Sequence, residues 1–290
     1  MPDISQNLKP SEKVLLVGAG KMGAALLQGW LEAGLMGDQL IVLEPHPSEP
    51  LLSLAKDYGF SVASSVDAVL PVQPRIIVLA VKPQVASDVL PNIEPLISQH
   101  DASAEAGSCC VLSLMAGLDL DRIESFCGRP ADYVRTMPNT PASIERGITA
   151  LYADAAIAPD NRALSDALMG TVGKTIWVES EQLMDAVTAV SGSGPAYVFY
   201  MVEAMAAAGA RLGLEPDTAM ELARETVAGV GAMLSKFDET ASTMRENVTS
   251  PNGTTAAALD VLMRDQGGLR ELMMEAQSAA AERSKELAKL

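Results

Sequence analysis

The segment Ser250-Pro251-Asn252-Gly253-Thr254-Thr255 sets a Pro-Asn-Gly turn directly before the apolar run Ala256-Ala257-Ala258-Leu259. A turn that feeds a helix leaves the first backbone N–H groups without intrahelical partners, and here three hydroxyls stand beside them. The arrangement is either a receptor for a carboxylate and one neighbouring polar atom or an ordinary N-cap. A second candidate is Gly18-Ala19-Gly20-Lys21-Met22-Gly23, which follows the apolar run Val14-Leu15-Leu16-Val17 and opens a helical stretch to about Ala33. In that context G-x-G-x-x-G favours a dinucleotide, because glycines let the backbone approach a pyrophosphate at the positive helix end. The alternative is a merely tight turn.

Other positions could serve the same crevice. Leu43-Glu44-Pro45-His46 ends the second strand, where Glu44 either accepts from ribose hydroxyls, as in NAD sites, or is an exposed loop acid. Ala80-Val81-Lys82-Pro83 closes a later strand, with Pro83 fixing the bend; Thr136-Met137-Pro138-Asn139-Thr140-Pro141 is a rigid turn after another. Ser191-Gly192-Ser193-Gly194-Pro195-Ala196-Tyr197 reads as a helix start.

Histidine, a common proton donor in catalysis, is scarce. There are two histidines, His46 by the second strand and His100 in a polar loop, and neither sits where a proton donor is expected. Alcohol oxidation needs a positioned base, whereas a protonated imine is already electrophilic and needs orientation more. A β-hydroxyacid dehydrogenase would place a lysine on the long helix after Pro195, and none occurs from Pro195 to Arg211. A dinucleotide sensor or scaffold would leave the Ser250 to Thr255 turn without a purpose.

The elements that must hold these residues fall into two halves. Short strands at Val14–Val17, Leu40–Leu43, Ile76–Ala80, Cys110–Ser113, Tyr133–Arg135, Thr149–Leu151 and Thr175–Val178 alternate with helices, which specifies a doubly wound parallel α/β sheet over residues 1–178. Residues 179–290 read as all helix: Pro195–Leu212, Pro216–Phe237, Thr254–Arg264 and Leu269–Leu287. The first of these is apolar nearly all round, so it must be buried on every side, and a half this thin needs a second copy to bury it.

Bulk properties exclude other classes. The chain has 290 residues, two domains' worth, and a formal net charge of −16 that disfavours nucleic acid and anionic membranes. The three cysteines, Cys109, Cys110 and Cys127, show no metal spacing and suit reduced thiols; with no leader or long apolar run, a cytoplasmic protein is expected.

Together the Gly18 to Gly23 loop with Met22, Ala80 to Pro83, Met137 to Pro141, Asp185-Ala186-Val187 running into Ser191 to Tyr197, and Ser250 to Thr255 closely resemble the pyrroline-5-carboxylate reductase family, in family order from about Val14 to Leu287. The resemblance implies a Rossmann domain followed by an all-helical dimerisation domain, with hydride transfer from NADPH to 1-pyrroline-5-carboxylate giving L-proline, the last step of proline biosynthesis. It implies that Gly18, Ala19, Gly20, Lys21, Met22, Gly23, Ala80, Val81, Lys82, Pro83, Leu114, Met115 and Ala116 line the cofactor crevice and that Asn247 reaches the partner's cofactor; Glu44 and Pro45 at the second strand's end and Asn139 in its turn are expected to line the same crevice. Glu181, Ser250, Gly253, Thr254 and Thr255 then surround the imino acid, with Thr254 and Thr255 binding its carboxylate and ring nitrogen and Thr255 the catalytic contact. Interleaved homodimers, often joined into rings, are the family's assembly. Two departures stand out: Asn252 replaces a glycine, and Glu225 a glutamine. A third, Glu44-Pro45, lacks the family's pair for a 2′-phosphate, so NADH is expected to serve as well as NADPH.

Overall fold

The computed structural model describes residues 4–98 and 109–287. His100 lies outside the described residues. The chain divides into two compact units, Met1–Gly192 with Ala281–Leu290, and Ser193–Ala280.

The first unit is built on eight strands in the order β3-β2-β1-β4-β5-β6-β7-β8: β1 Lys13–Val17, β2 Leu40–Leu43, β3 Ser61–Ala63, β4 Pro74–Leu79, β5 Cys110–Ser113, β6 Asp132–Met137, β7 Gly147–Ala153 and β8 Gly173–Trp177. Helices α1 Lys21–Glu32, α2 Glu49–Tyr58, α3 Ala86–Ser98, α4 Leu120–Cys127 and α5 Pro159–Gly170 connect them. Successive strand residues point to opposite faces, so the central strands feed two cores. Val14, Leu16, Ile76 and Val78 pack with Trp30 of α1 and Leu168 of α5. Leu15, Val17, Ile77 and Leu79 pack with Leu90 of α3 and Ile123 of α4. Trp30 is fully buried and donates its indole N–H to the Leu168 carbonyl at 2.9 Å, which ties α1 to α5.

The expected parallel sheet holds for β1 to β6, but β7 pairs antiparallel to β6, and β8 runs parallel to β7. Residues 138–146 contain only a 3₁₀ turn, too little for a parallel crossover, so the chain doubles back; α5 then supplies a proper crossover to β8. The strand Ser61–Ala63 was not expected.

The expected division after residue 178 meets the end of β8, yet the first unit extends further. Helix α6, Leu183–Val187, packs on β7 and continues through a π turn, Thr188–Gly192, before the second unit begins. At the other end, helix α11, Leu269–Leu287, has its last turns in the first unit, where buried Ser284 donates to the Asp185 carboxylate at 2.7 Å.

The second unit contains α7 Gly194–Arg211, α8 Pro216–Lys236, α9 Ala241–Asn247, α10 Thr254–Leu262 and most of α11. Only α9 was not expected. Helices α7 and α8 form its main pair, but the buried apolar side chains among its described residues are Ala206, Ala219 and Ala223. Helix α7 is therefore not buried on every side within one chain: Phe199 is 65% and Tyr200 71% exposed. Apolar surface of this extent marks an interface still to be covered. Among the described residues no helix is long and apolar enough to cross a membrane.

All three cysteines are buried and none is in a disulfide among the described residues, and burial pushes the Cys110 and Cys127 thiols up to about 12. The thiolate is the reactive form. Native protein at pH 8 is therefore expected to leave all three unmodified by a thiol-specific disulfide reagent and to release all three on denaturation; rapid labelling of the native state would contradict this burial.

Candidate active site

Strand order reverses beside β1 and β4, where α1 leaves one side of the sheet and the Ala80 turn the other; ligands of such sheets bind at the strand ends there. The glycine loop starts at Gly18, whose φ is +91° and whose N–H donates to the Leu43 carbonyl at 2.9 Å. A Cβ on Gly18 would meet Val81 Cγ1 at 2.8 Å, and one on Gly23 would meet the Gly18 carbonyl oxygen at 2.3 Å. These two glycines let helix and strands touch. Gly20 differs: a Cβ there would meet nothing within 4 Å, it is exposed, and it occupies the N-cap of α1 with no side chain capping the helix. The space beside it and the free amides of the first turn make a cradle that fits a pyrophosphate.

Glu44 points into this loop. Its Oε2 accepts from the Ala19 N–H at 3.0 Å and its Oε1 from the His46 N–H at 3.1 Å, so the exposed-acid alternative does not hold. Pro45 lines a cavity of about 470 Å³ with Leu43, Ser64, Ser65, Asp67 and Asn92. Ala80 continues the sheet through a bond from its N–H to the Val17 carbonyl at 2.8 Å, and Leu114 does so to Leu79 at 3.0 Å. Val81 and Pro83 are partly exposed, and Lys21 and Lys82 are exposed. Met22 is half-buried against the α1 core layer, Ala116 is half-buried, and Met115 is fully in the core, leaving only its backbone for a ligand. Asn139 is committed locally: its Oδ1 accepts from the Ile148 N–H at 3.0 Å and so pins the start of β7.

Glu181 is half-buried in the same unit. Its Oε1 accepts from Arg135 Nη1 at 3.2 Å and from the Leu120 N–H at 2.9 Å, joining β6 to the first turn of α4. Burial raises this carboxyl above the usual range, against the lowering pull of those two donors. Among the described residues its Oε2 has no hydrogen-bond partner. Arg135 is nearly buried, and the sequence reading passed over it. A charged residue inside the run Tyr133-Val134-Arg135 was the available signal, since an arginine is rarely buried without a carboxylate partner.

In the second unit, Ser250 to Thr255 form the turn that starts α10. Asn252 takes the left-handed conformation, φ +59°, which asparagine tolerates better than most residues. A Cβ on Gly253 would meet Ser250 Oγ at 2.4 Å, so glycine is required there. Gly253 is the N-cap, no side chain caps α10, and among the described residues the hydroxyls of Ser250, Thr254 and Thr255 have no hydrogen-bond partner. This is an uncapped helix start with hydroxyls to spare, the form a carboxylate receptor takes. Asn247 ends α9, with its Nδ2 donating to Glu239 at 3.0 Å. Among the described residues, the buried Tyr197 hydroxyl near the start of α7 has no hydrogen-bond partner.

Comparison with known proteins supplies two family models. Residues 181–287 match the one described as pyrroline-5-carboxylate reductase dimerisation, and residues 13–102 match the one described as NADP oxidoreductase, coenzyme F420-dependent. The chain is 39% identical over 294 residues to the pyrroline-5-carboxylate reductase of Mycobacterium tuberculosis, covering 95% of this chain and 96% of that one. It is 34% identical over 276 residues to that of Pseudomonas aeruginosa, covering 95% and 97%. The pyrroline-5-carboxylate reductase structure from Coxiella burnetii superposes with a TM-score of 0.85 at 33% identity, covering 97% of this chain and all of that one. The Plasmodium falciparum pyrroline carboxylate reductase, solved with NADP bound, gives 0.78 at 28% identity, covering 97% and 99%.

The two kinds of glycine are separable by experiment. Gly23→Ala is expected to lower unfolding stability by about 1–3 kcal/mol in urea titrations, because backbone must shift. Gly20→Ala should keep stability within roughly 1 kcal/mol of wild type and weaken nicotinamide dinucleotide binding, read by calorimetry. Equal effects of the two on stability would refute the distinction.

Proposed function

The chain belongs to the pyrroline-5-carboxylate reductase family and is an NAD(P)H-dependent oxidoreductase acting on a C=N bond; from that premise we propose which of its residues bring about the reduction of 1-pyrroline-5-carboxylate to proline. The observation that carries the reading is the start of α10, an uncapped helix N-terminus with the Thr254 and Thr255 hydroxyls and the Ser250 hydroxyl left for a ligand.

In this reading the Thr254 and Thr255 amides and the Thr254 hydroxyl bind the substrate carboxylate, where the positive helix end favours a negative group. The Thr255 hydroxyl hydrogen-bonds the ring nitrogen and fixes the angle of the flat ring. Glu181 is assigned to the substrate through Oε2 in the same reading, since Arg135 and the Leu120 N–H hold its other oxygen. The dinucleotide is held by the Gly18 to Gly23 loop, Glu44, Pro45, Ala80 to Pro83, Leu114 to Ala116 and Asn139, with Asn247 reaching the copy bound by the partner, and when bound it supplies a hydride for the imine carbon. Because the substrate is electrophilic once its nitrogen is protonated, orientation and local charge are what these residues add. His46, an exposed residue by β2, takes no part as an acid.

The helical unit serves homo-oligomerisation, and its three-alanine core against exposed Phe199 and Tyr200 supports a dimer that covers α7. A ring of dimers is the assembly to look for by light scattering. The cytoplasm is the proposed location, supported by three buried thiols outside any disulfide among the described residues.

Thr255→Ala is expected to lower kcat/KM for pyrroline-5-carboxylate by about two- to tenfold, the worth of one hydrogen bond of about 0.5–1.5 kcal/mol, while dinucleotide affinity stays near wild type. Coenzyme oxidation followed with this substrate and its six-membered homologue measures the effect and the ring-size range; kinetics unchanged from wild type would remove Thr255 from the site.

A further inference from the structure

Glu44 does more than approach the crevice. Its backbone N–H extends the sheet by bonding to the Ala63 carbonyl at 2.9 Å, and its carboxylate is then anchored on both oxygens by Ala19 and His46 amides. Both acceptors face backbone donors, so the side chain is held in place and does not swing freely through the loop. The Ala19 amide is a donor of the very loop that cradles phosphate, and Glu44 has taken it.

We infer that Glu44 makes this chain select NADH over NADPH, by holding a fixed carboxylate where the adenosine ribose is read. A ribose 2′-hydroxyl can donate its proton to a carboxylate, whereas a 2′-phosphate brings up to two negative charges and only acceptor oxygens. It needs cations or free amides at the end of β2. The 470 Å³ cavity next to Glu44 offers the opposite sign: among the described residues that line it, the one charged side chain is Asp67. Ser64 and Ser65 line it as well, but hydroxyls bring no positive charge. Ser48, which follows in the same segment, spends its hydroxyl as the N-cap of α2, accepting from the Leu51 N–H. The His46 ring is exposed, and its backbone is the part that serves Glu44.

This inference rests on the dinucleotide-binding reading above and adds the form of the coenzyme. The test is calorimetric binding of NAD⁺ and NADP⁺ to the full-length protein, together with kcat/KM for NADH and NADPH with pyrroline-5-carboxylate. Wild type is expected to bind NAD⁺ at least tenfold more tightly than NADP⁺ and to favour NADH by a similar factor. Glu44→Ser should shift the ratio towards NADP⁺ by about tenfold, equivalent to about 1.4 kcal/mol. Glu44→Gln keeps one accepting oxygen for the Ala19 amide and removes the charge, while turning an NH2 group towards the His46 N–H in place of an acceptor; it should shift the ratio in the same direction even if the serine variant folds poorly. His46→Ala should leave the ratio unchanged. A wild type that binds NADP⁺ as tightly as NAD⁺, or a ratio insensitive to both Glu44 variants, overturns the inference and leaves the reductase assignment standing. Failure to reduce the imino acid with either coenzyme defeats that assignment instead, and the binding ratio still decides the role of Glu44.

Discussion

The first unit depends on one close approach: the Gly23 backbone sits against the Gly18 carbonyl, at a distance no Cβ could share. That contact sets how steeply α1 leaves β1, and the angle decides where the first free amides of the helix point. It also draws Ala80 and Val81 against Gly18, so the end of β4 becomes the opposite wall of the same crevice. Gly20, Glu44 and the Ala80 turn occupy their places because backbone packing puts them there. Chemistry was added to an arrangement that sterics already required.

The two units solve burial differently. In the first, every central strand buries side chains on both faces, and helices cover each layer. In the second, the helices pair through alanines and leave large apolar residues outward. Burying apolar surface is worth roughly 25 cal/mol per Å², so a lone copy of the second unit forgoes most of what its composition could supply. The dimerisation match over residues 181–287 supports homo-oligomerisation, the means by which apolar surface of this kind is covered.

Much of this was legible because it rests on local patterns. Alternating β-branched runs and helices gave the Rossmann half, and the turn residues before Thr254 gave the helix start. Contacts distant in sequence were not legible. The strand Ser61–Ala63 is three residues long and two of them are not buried, so no hydrophobic run announces it. The reversal at β7 follows from a connection too short for a crossover, which shows only once β6 and β7 are known to be neighbours. The direction of Glu44 depends on a donor 25 residues away, and the clamp of Glu181 on Arg135 spans 46. Spacing could nominate these carboxylates but could not say what their oxygens touch.

The end of α11 has a consequence for how such chains exchange parts. Its last turns belong to the first unit, held there by Ser284 and Asp185, so the helical unit is an insertion with two seams and not a tail with one. A single recombination crossover near residue 193 would pair a new helical half with a closing segment shaped for a different sheet domain. Grafting the helical unit between relatives therefore calls for two junctions, with the residues from Ala281 onward travelling with the nucleotide-binding part.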